Sequence, residues 1–460
     1  MTIQEFDVIV IGGGPAGAGA AIAASREGLR VLLVDENDAA GGQVYRQPIA
    51  KAATAPTADA LAGEALRAAL AASDVVLSFG HRVWFVESGF RVCAVGPAGP
   101  VEWRASRLVV ASGAQERHRP VPGWTLPGVI GLAAATNLLK AHRVLPGLRV
   151  LVAGTGPLLL YVAATILEAG GEIAGIVDAR GRSDWVRAVP RLLARPDLMM
   201  RGAKWYLALR RAGVPFHHGH VLSRVEGSGA VARAVVTPIA GHDAPIAIEC
   251  DSVCYGYGLM PATEIARLLG VEHEFAPELG GWVPVMDENG ATSVPGLYLC
   301  GDGAGVIGAA AASIQGSRVG SALAQASGTP DNPSLLARAK RFGAAMTALA
   351  EPPAAALDAI TPETVVCRCE NLSRATLDEA IGAGAHTINA LKAATRCGMG
   401  ACGGRVCEDT AAALIAVAIG LPRAAIGQAT SRPPLRPVPL GVLAGEFDYA
   451  SLPMPEPAPQ

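Results

Sequence analysis

The run DVIVIGGGPAG, residues 7–17, constrains this chain more than any other stretch. An apolar run ending in three glycines describes a buried strand that stops at a tight turn. Gly12, Gly14 and Gly17 match G-x-G-x-x-G, and Pro15 and Ala16 open a helix expected to reach about Glu27. The first glycine allows the turn, the second lets a diphosphate approach the backbone, and the third lets helix and strand pack closely. The helix N-terminus then faces the phosphates. VLLVD, 31–35, supplies a second buried strand, and Asp35 ends it where an acid can bond a ribose hydroxyl. Glu36 is the adjacent alternative. With strand, helix and acid in register the pattern reads as a nucleotide site. The bland alternative is a glycine-rich turn with no ligand.

The motif returns once. RVLVAGTG, 149–156, is a strand and turn, and LLLYVAATILEAG and EIAGIVD continue it as helix and strand. Here Leu159 stands where a Gly or Ala would let the helix pack tightly, so NAD(P) binding by this second unit is left open. Hydrophobic residues make up 51% of the chain and glycines number 55, which suits α/β architecture with parallel strands buried on both faces. A net charge of −2 offers no basic field for nucleic acid or anionic lipid. The most membrane-like stretch, 150–171, is interrupted by Gly-Thr-Gly-Pro and reads as strand, turn and helix, so no transmembrane segment is expected. The start MTIQEFDV lacks a basic region and reads as a strand, not a signal peptide. The expected location is the cytoplasm, with peripheral attachment at the inner membrane as the alternative. In that reducing compartment clustered cysteines point to metal or redox chemistry.

Five of the nine cysteines fall in CRCE, 367–370, and RCGMGACGGRVC, 396–407. Cys367 and Cys369 form C-x-C, and Cys402 and Cys407 form C-x4-C. Zinc sites favour C-x2-C knuckles, so these spacings favour iron and sulfide, with structural zinc or free thiols as alternatives. Gly398, Gly400, Gly403 and Gly404 leave N–H groups free to point at thiolate charge. Two short helices are expected between the pairs. Cys397 is either a neighbour or a replacement ligand. Cys93, Cys250, Cys254 and Cys300 are scattered and read as buried packing residues. HHGH, 217–220, has no carboxylate at ligand spacing and reads as a solvated loop. The proline-rich run 431–441 cannot be regular helix or sheet, and is expected to stay out of the core and dock on a partner.

Over about 1–325 the chain resembles the two-dinucleotide-domain flavoproteins that include glutathione and thioredoxin reductases. GGQVYR, with Gly42 and Gln43, resembles the loop that approaches the flavin. ASGA, with Ala111 and Gly113, resembles the small-residue turn beside it. LYLCGDGAG resembles the late strand whose acid, here Asp302, bonds the ribityl chain, and Val83 falls where the family's backbone meets adenine. The family's catalytic Cys-x-x-Cys is missing, which argues against a dithiol reductase. The cysteine module resembles the bacterioferritin-associated-ferredoxin-like [2Fe-2S] domain, and that resemblance implies Cys367, Cys369, Cys402 and Cys407 as ligands.

Together with ERHRPVPGWTLPGVIG, YGYGLMPATEIARLLG and RPPLRPVPLG, these motifs resemble the large subunits of heteromeric bacterial dehydrogenases for opines, proline and D-hydroxyproline, and of hydrogen cyanide synthase. The resemblance implies an α/β fold with two Rossmann-like domains and a small helical [2Fe-2S] domain. The expected boundaries are 1–115 with 285–328, 116–284, a helical linker 329–362, a cluster domain 363–425 and a docking tail 426–460. It implies FAD, or an adenine nucleotide such as ATP in the same site, with an FMN between subunits in some members. It implies a hetero-oligomer with two kinds of partner, an FAD-dependent amine-oxidase-like subunit plus a small ferredoxin-like [2Fe-2S] protein. The leading reading is an electron-transfer subunit of an amine dehydrogenase. A stand-alone NAD(P)H-dependent oxidoreductase and a non-catalytic nucleotide-binding scaffold are the alternatives.

Overall fold

The computed structural model of the chain describes residues 3–46, 57–241, 243–324 and 333–444. It opens with the unit that the glycine motif demands. Gln4–Ile11 is a strand, Pro15–Arg26 a helix and Val31–Val34 a second strand, paired in parallel with the first. Val8, Ile9, Val10 and all of Val31–Val34 are fully buried, which is why they read as continuous apolar runs. Val76–Ser78 lies outside the second strand, and Gly99–Val110 pairs in parallel with the other side of the first. Leu297–Leu299 adds beside Leu108–Val110. The carboxyl ends of these parallel strands share one edge, where open α/β sheets bind ligands. Gly12, Asp35, Ala111 and Asp302 all follow such strand ends.

A second parallel sheet runs in the order Phe216–His218, Glu172–Asp178, Arg149–Thr155, Ser252–Tyr257, Val129–Gly131. The helix Leu158–Glu168 follows its glycine turn, with Leu159 buried against the sheet. Two further helices, Arg182–Leu192 and Pro196–Arg211, follow the strand Glu172–Asp178. The two domains are joined by the crossing strands Ala114–Glu116 and Leu259–Pro261, paired antiparallel.

The structure moves three of the expected boundaries. Ile265, Ala266 and Val271 pack in one core with Ile9, Val34 and Leu297, so the chain re-enters the first domain at Leu259–Pro261 and not near 285. The stretch 329–362 is more than a linker. Its helix Pro333–Ala350 sets Leu336 and Ala339 against Ile307 and Ala311 on one side. On the other it sets Ala345 and Leu349 against Leu192 and Trp185. The tail from 426 is also partly core. Leu435 is buried with Val86 and Trp103, its N–H donates to the Trp84 carbonyl at 2.8 Å, and its own carbonyl accepts from Arg405 Nη2. Prolines bar helix and sheet there, but they also hold an extended strap that one apolar side chain can anchor. Beyond it Leu440–Ala444 is a short helix with Leu440 and Leu443 exposed, and 445–460 lie outside the described residues.

The cysteine module has its own core, including Ile360, Val366, Leu377, Leu391 and Ile415. Helices Arg374–Gly382 and Ile388–Thr395 lie between the cysteine pairs, and Glu408–Ile419 follows the last cysteine. Among the described residues no helix is long and apolar enough to cross a membrane.

Candidate cofactor sites

In the first site the chain's own backbone explains two of the three glycines. A Cβ on Gly17 would lie 1.8 Å from the Gly12 carbonyl oxygen, and one on Gly12 would lie 2.3 Å from that of Ala111. Gly12 also has φ +107°. Gly14 is different. Its φ is −70°, and the nearest atom to a Cβ there is Gly42 Cα at 3.9 Å. Nothing inside the chain crowds a Cβ at 14, so this edge of the turn is open for a diphosphate to approach the backbone. That is the sense in which the site fits a dinucleotide.

The other elements converge on this turn. Gly41 N–H donates to the Gly13 carbonyl at 2.8 Å, which seats Gly42 and Gln43 over the turn. A Cβ on Gly301 would meet that of Ala16 at 2.7 Å, and one on Gly303 would meet Ser112 Oγ at 2.8 Å. Ala111–Gly113 and the Asp302 loop therefore press on the same helix start. Burial pushes the Asp302 carboxyl up, against the N–H groups of Gly308 and Ile307, which donate to Oδ1 at 2.9 and 3.0 Å. Asp35 is also buried. Its Oδ2 accepts Gly13 N–H at 2.5 Å, and its Oδ1 accepts the backbone N–H and side-chain amide of Asn37, both at 2.7 Å. Glu36 is more open and lies 3.5 Å from Arg82, beside Val83. The short Asp35 side chain thus braces the turn, and Glu36 is the freer of the two acids.

The thiols converge as well. The Sγ atoms of Cys367, Cys397 and Cys407 lie within 4.8 Å of one another, all buried. The thiols of Cys369 and Cys402 contact each other, and the Cys402 N–H also points at Cys369. Gly398 and Glu370 N–H groups point at Cys367, whereas the Gly403 N–H donates to the Gly400 carbonyl at 2.8 Å and is not free for a thiolate. Gly400 must be glycine because a Cβ would lie 2.2 Å from that of Cys369. The tight group thus holds Cys367 and Cys407 with Cys397, and the other two expected ligands, Cys369 and Cys402, form a pair; such a thiol set with backbone donors fits an iron–sulfur cluster. Cys397 stands inside the buried group, closer than a mere sequence neighbour need be. Cys93, Cys250, Cys254 and Cys300 are buried apart, as expected.

One feature escapes sequence reading. Asp409, two residues after Cys407, receives three arginines: Arg119 Nη1 at 2.7 Å, Arg423 Nη2 at 3.0 Å and Arg117 Nε at 3.4 Å. Burial opposes its ionisation, but Arg119, Arg117 and Arg423 outweigh that and hold its carboxyl well below the usual range. Arg117 and Arg119 belong to ERHR at the domain crossing, itself buried. Breaking such a buried cluster by removing one partner costs about 3–5 kcal/mol. Arg405 with Glu264 at 2.6 Å, and Arg267 with Glu408 at 3.0 Å, tie the module to the first domain. Trp124 Nε1 on the Val365 carbonyl ties it to the second. The only sequence signal was a pair of arginines in an apolar setting.

The same crossing holds a pH-sensitive pair. Burial pushes the Glu116 carboxyl up to about 8, against the N–H groups of Ala133 and Leu132, and burial with Arg119 pushes His118 down to about 4. The stability tied to protonated Glu116 is present below the unfolded carboxyl value of about 4.3 and is lost as pH rises through about 8. His118 acts oppositely, losing stability as pH falls from about 6.5. Above that value only the Glu116 slope of the two remains. Chemical denaturation of wild type and Glu116→Gln between about pH 6.5 and 8.5 is therefore expected to show stability falling more steeply in wild type. Parallel slopes would contradict the assignment.

The second glycine turn is differently furnished. HHGH is not a free loop, since His217 and His218 lie on the strand Phe216–His218 beside Glu172–Asp178. A carboxylate absent at ligand spacing in sequence arrives from that neighbour, with His218 Nδ1 3.6 Å from Asp178 Oδ2.

Two adjoining Rossmann domains, a ligand-shaped glycine turn and a packed thiol module define an oxidoreductase built for a dinucleotide and an iron–sulfur cluster. Residues 6–318 match the pyridine nucleotide-disulphide oxidoreductase family, and 365–417 match the BFD-like [2Fe-2S] binding domain. The chain belongs to that oxidoreductase family. It is 35% identical to an opine oxidase subunit of Agrobacterium tumefaciens (strain Ach5), over 95% of this chain and 91% of that one. It is 32% identical to hydrogen cyanide synthase subunit HcnB of Pseudomonas aeruginosa, over 94% and 97%. In structure it is similar to L-proline dehydrogenase from P. horikoshii, with a TM-score of 0.71 at 23% identity, over 97% of this chain and 81% of that one. The two family matches imply FAD and an iron–sulfur cluster as cofactors.

Proposed function

We propose that this chain is the electron-transfer subunit of a heteromeric flavin/iron–sulfur dehydrogenase for a cyclic or secondary amine of the D-hydroxyproline, proline or opine type. Substrate oxidation takes place on an FAD-dependent amine-oxidase-like partner, and a small ferredoxin-like subunit completes the complex. Gly12–Gly17, Gly42, Gln43, Ala111, Gly113 and Asp302 hold the flavin nucleotide, with Asp35 or Glu36 at its ribose and Val83 at its adenine. Cys367, Cys369, Cys402 and Cys407 hold the cluster. When bound, a flavin accepts electrons in pairs as hydride and a [2Fe-2S] cluster passes them singly.

The observation that carries this reading is the Arg117–Asp409–Arg119 clamp. It fixes the helix that follows Cys407 to the segment leaving the first domain, so both cofactor sites ride on one body. The relatives along nearly the whole chain are themselves named as subunits, which supports a division of labour. Among the described residues of the tail, Leu440 and Leu443 are exposed beyond the Leu435 anchor, which supports docking on a partner.

The isolated chain is expected not to oxidise proline-type amines with an artificial acceptor. Co-expression with the amine-oxidase-like subunit restores turnover. Full amine oxidation by the monodisperse chain alone would overturn the assignment. The stand-alone NAD(P)H enzyme is disfavoured by the way the second glycine turn is covered.

A further inference from the structure

A dinucleotide at the second Rossmann turn would need an open glycine edge, a free acid at the end of the next strand and room for the diphosphate between them. The chain itself takes up the first two. The helix Pro333–Ala350 ends directly on the turn. A Cβ on Gly156 would lie 2.8 Å from that of Ala350, and one on Gly258 would lie 2.7 Å from it. Thr155 Oγ1 donates to the Ala350 carbonyl at 2.6 Å. Arg180 donates from Nε to Leu349 O at 3.2 Å, and from Nη2 to Ala348 O at 3.2 Å and Glu351 O at 2.5 Å. These are the orphan carbonyls of a helix C-terminus, and a guanidinium is well matched to their partial negative charge. Asp178, the strand-end acid, has Oδ2 occupied by Trp185 Nε1 at 2.7 Å and Oδ1 by Arg180 N–H at 2.9 Å. The space left is a cavity of about 490 Å³ that reaches Gly156, Pro157, Asp178 and Arg182 and is walled largely by apolar groups such as Trp185 and Phe216.

We propose that residues 348–351 are a built-in occupant of the second dinucleotide site, standing where the diphosphate would lie, and that this subunit takes no electrons from NADH or NADPH. The negative end of a helix now sits where the fold would otherwise present N–H groups to an anion. Glu351 extends the occupant to the crossing, since its Oε2 lies 2.7 Å from Arg117 Nη1 and Arg117 in turn faces Asp409. The second domain thereby braces the cluster module through Glu351, Arg117 and Asp409.

The test uses the purified, cofactor-loaded complex under anaerobic conditions. NADH or NADPH, each raised to millimolar concentration, is expected to give no binding heat and no change in flavin or cluster absorbance. The amine substrate is the control, because its failure to reduce the complex would count against the proposed function and not against the covered site. Saturable binding of either nicotinamide nucleotide would overturn the proposal. A second measurement concerns the occupant directly. Thr155→Val with Arg180→Ala removes four hydrogen bonds to 348–351. Amide exchange across that segment is expected to accelerate at least roughly tenfold, with the first domain unchanged. Unchanged protection there would show that the segment is not held on the turn.

Discussion

Replacing Cys407 with serine is expected to strip the chain of most of its iron and sulfide while leaving its nucleotide bound. Even residues that only support metal ligands cost about 10–100-fold in affinity when changed, so loss of a ligand should cost at least as much. Cys407 is buried in the group with Cys367 and Cys397, and it leads into the helix that carries Asp409. Cys402→Ser, at the more open pair, is expected to behave alike. Iron and sulfide analysis with the visible spectrum provides the readout. Cys397→Ser distinguishes the spare thiol from a ligand, and under the four-cysteine assignment it retains the cluster. Stoichiometric zinc without sulfide in the wild type would defeat the electron-relay reading altogether.

Gly14→Val is expected to abolish nucleotide binding without unfolding the chain. The position has ordinary backbone angles, and a Cβ there would meet no atom of the chain closer than 3.9 Å. A diphosphate against the backbone would be crowded by it. Overpacking alone costs about 1–3 kcal/mol, or roughly 5–150-fold in affinity, before any loss of phosphate contacts. Gly17→Ala is the contrasting control, because its Cβ would strike the Gly12 carbonyl and the fold should fail. Nucleotide released from wild type and weighed by mass spectrometry decides FAD against ATP. A folded Gly14→Val protein that still carries its nucleotide would refute the site.

These two positions show how unevenly function was written in the chain. The glycine spacing at 12–17 could be read as a nucleotide turn because strand, turn and helix follow one another within a few residues. Similarly, C-x-C and C-x4-C announce a thiol centre by local spacing. Asp409, Arg117 and Arg119 could not be read as a unit, since nothing local pairs residues so far apart in sequence. Nor could the covering of the second turn. GTGP looks like a weakened site, but only the packing of Pro333–Ala350 against both domains reveals that Ala350 sits upon it.

Leu435 and Ile265 teach the same lesson from the other side. Proline-rich composition placed the tail outside the core, and the expected boundaries put Ile265 in the second domain. Both side chains in fact fill the first core. By itself the sequence determined what short-range geometry enforces: strand, turn and helix periods, the glycine cradle and the cysteine spacings. The tertiary structure alone decided which distant segments would cover, brace or bury those elements. Burial energy depends on what meets across space, and separation along the chain does not encode that meeting.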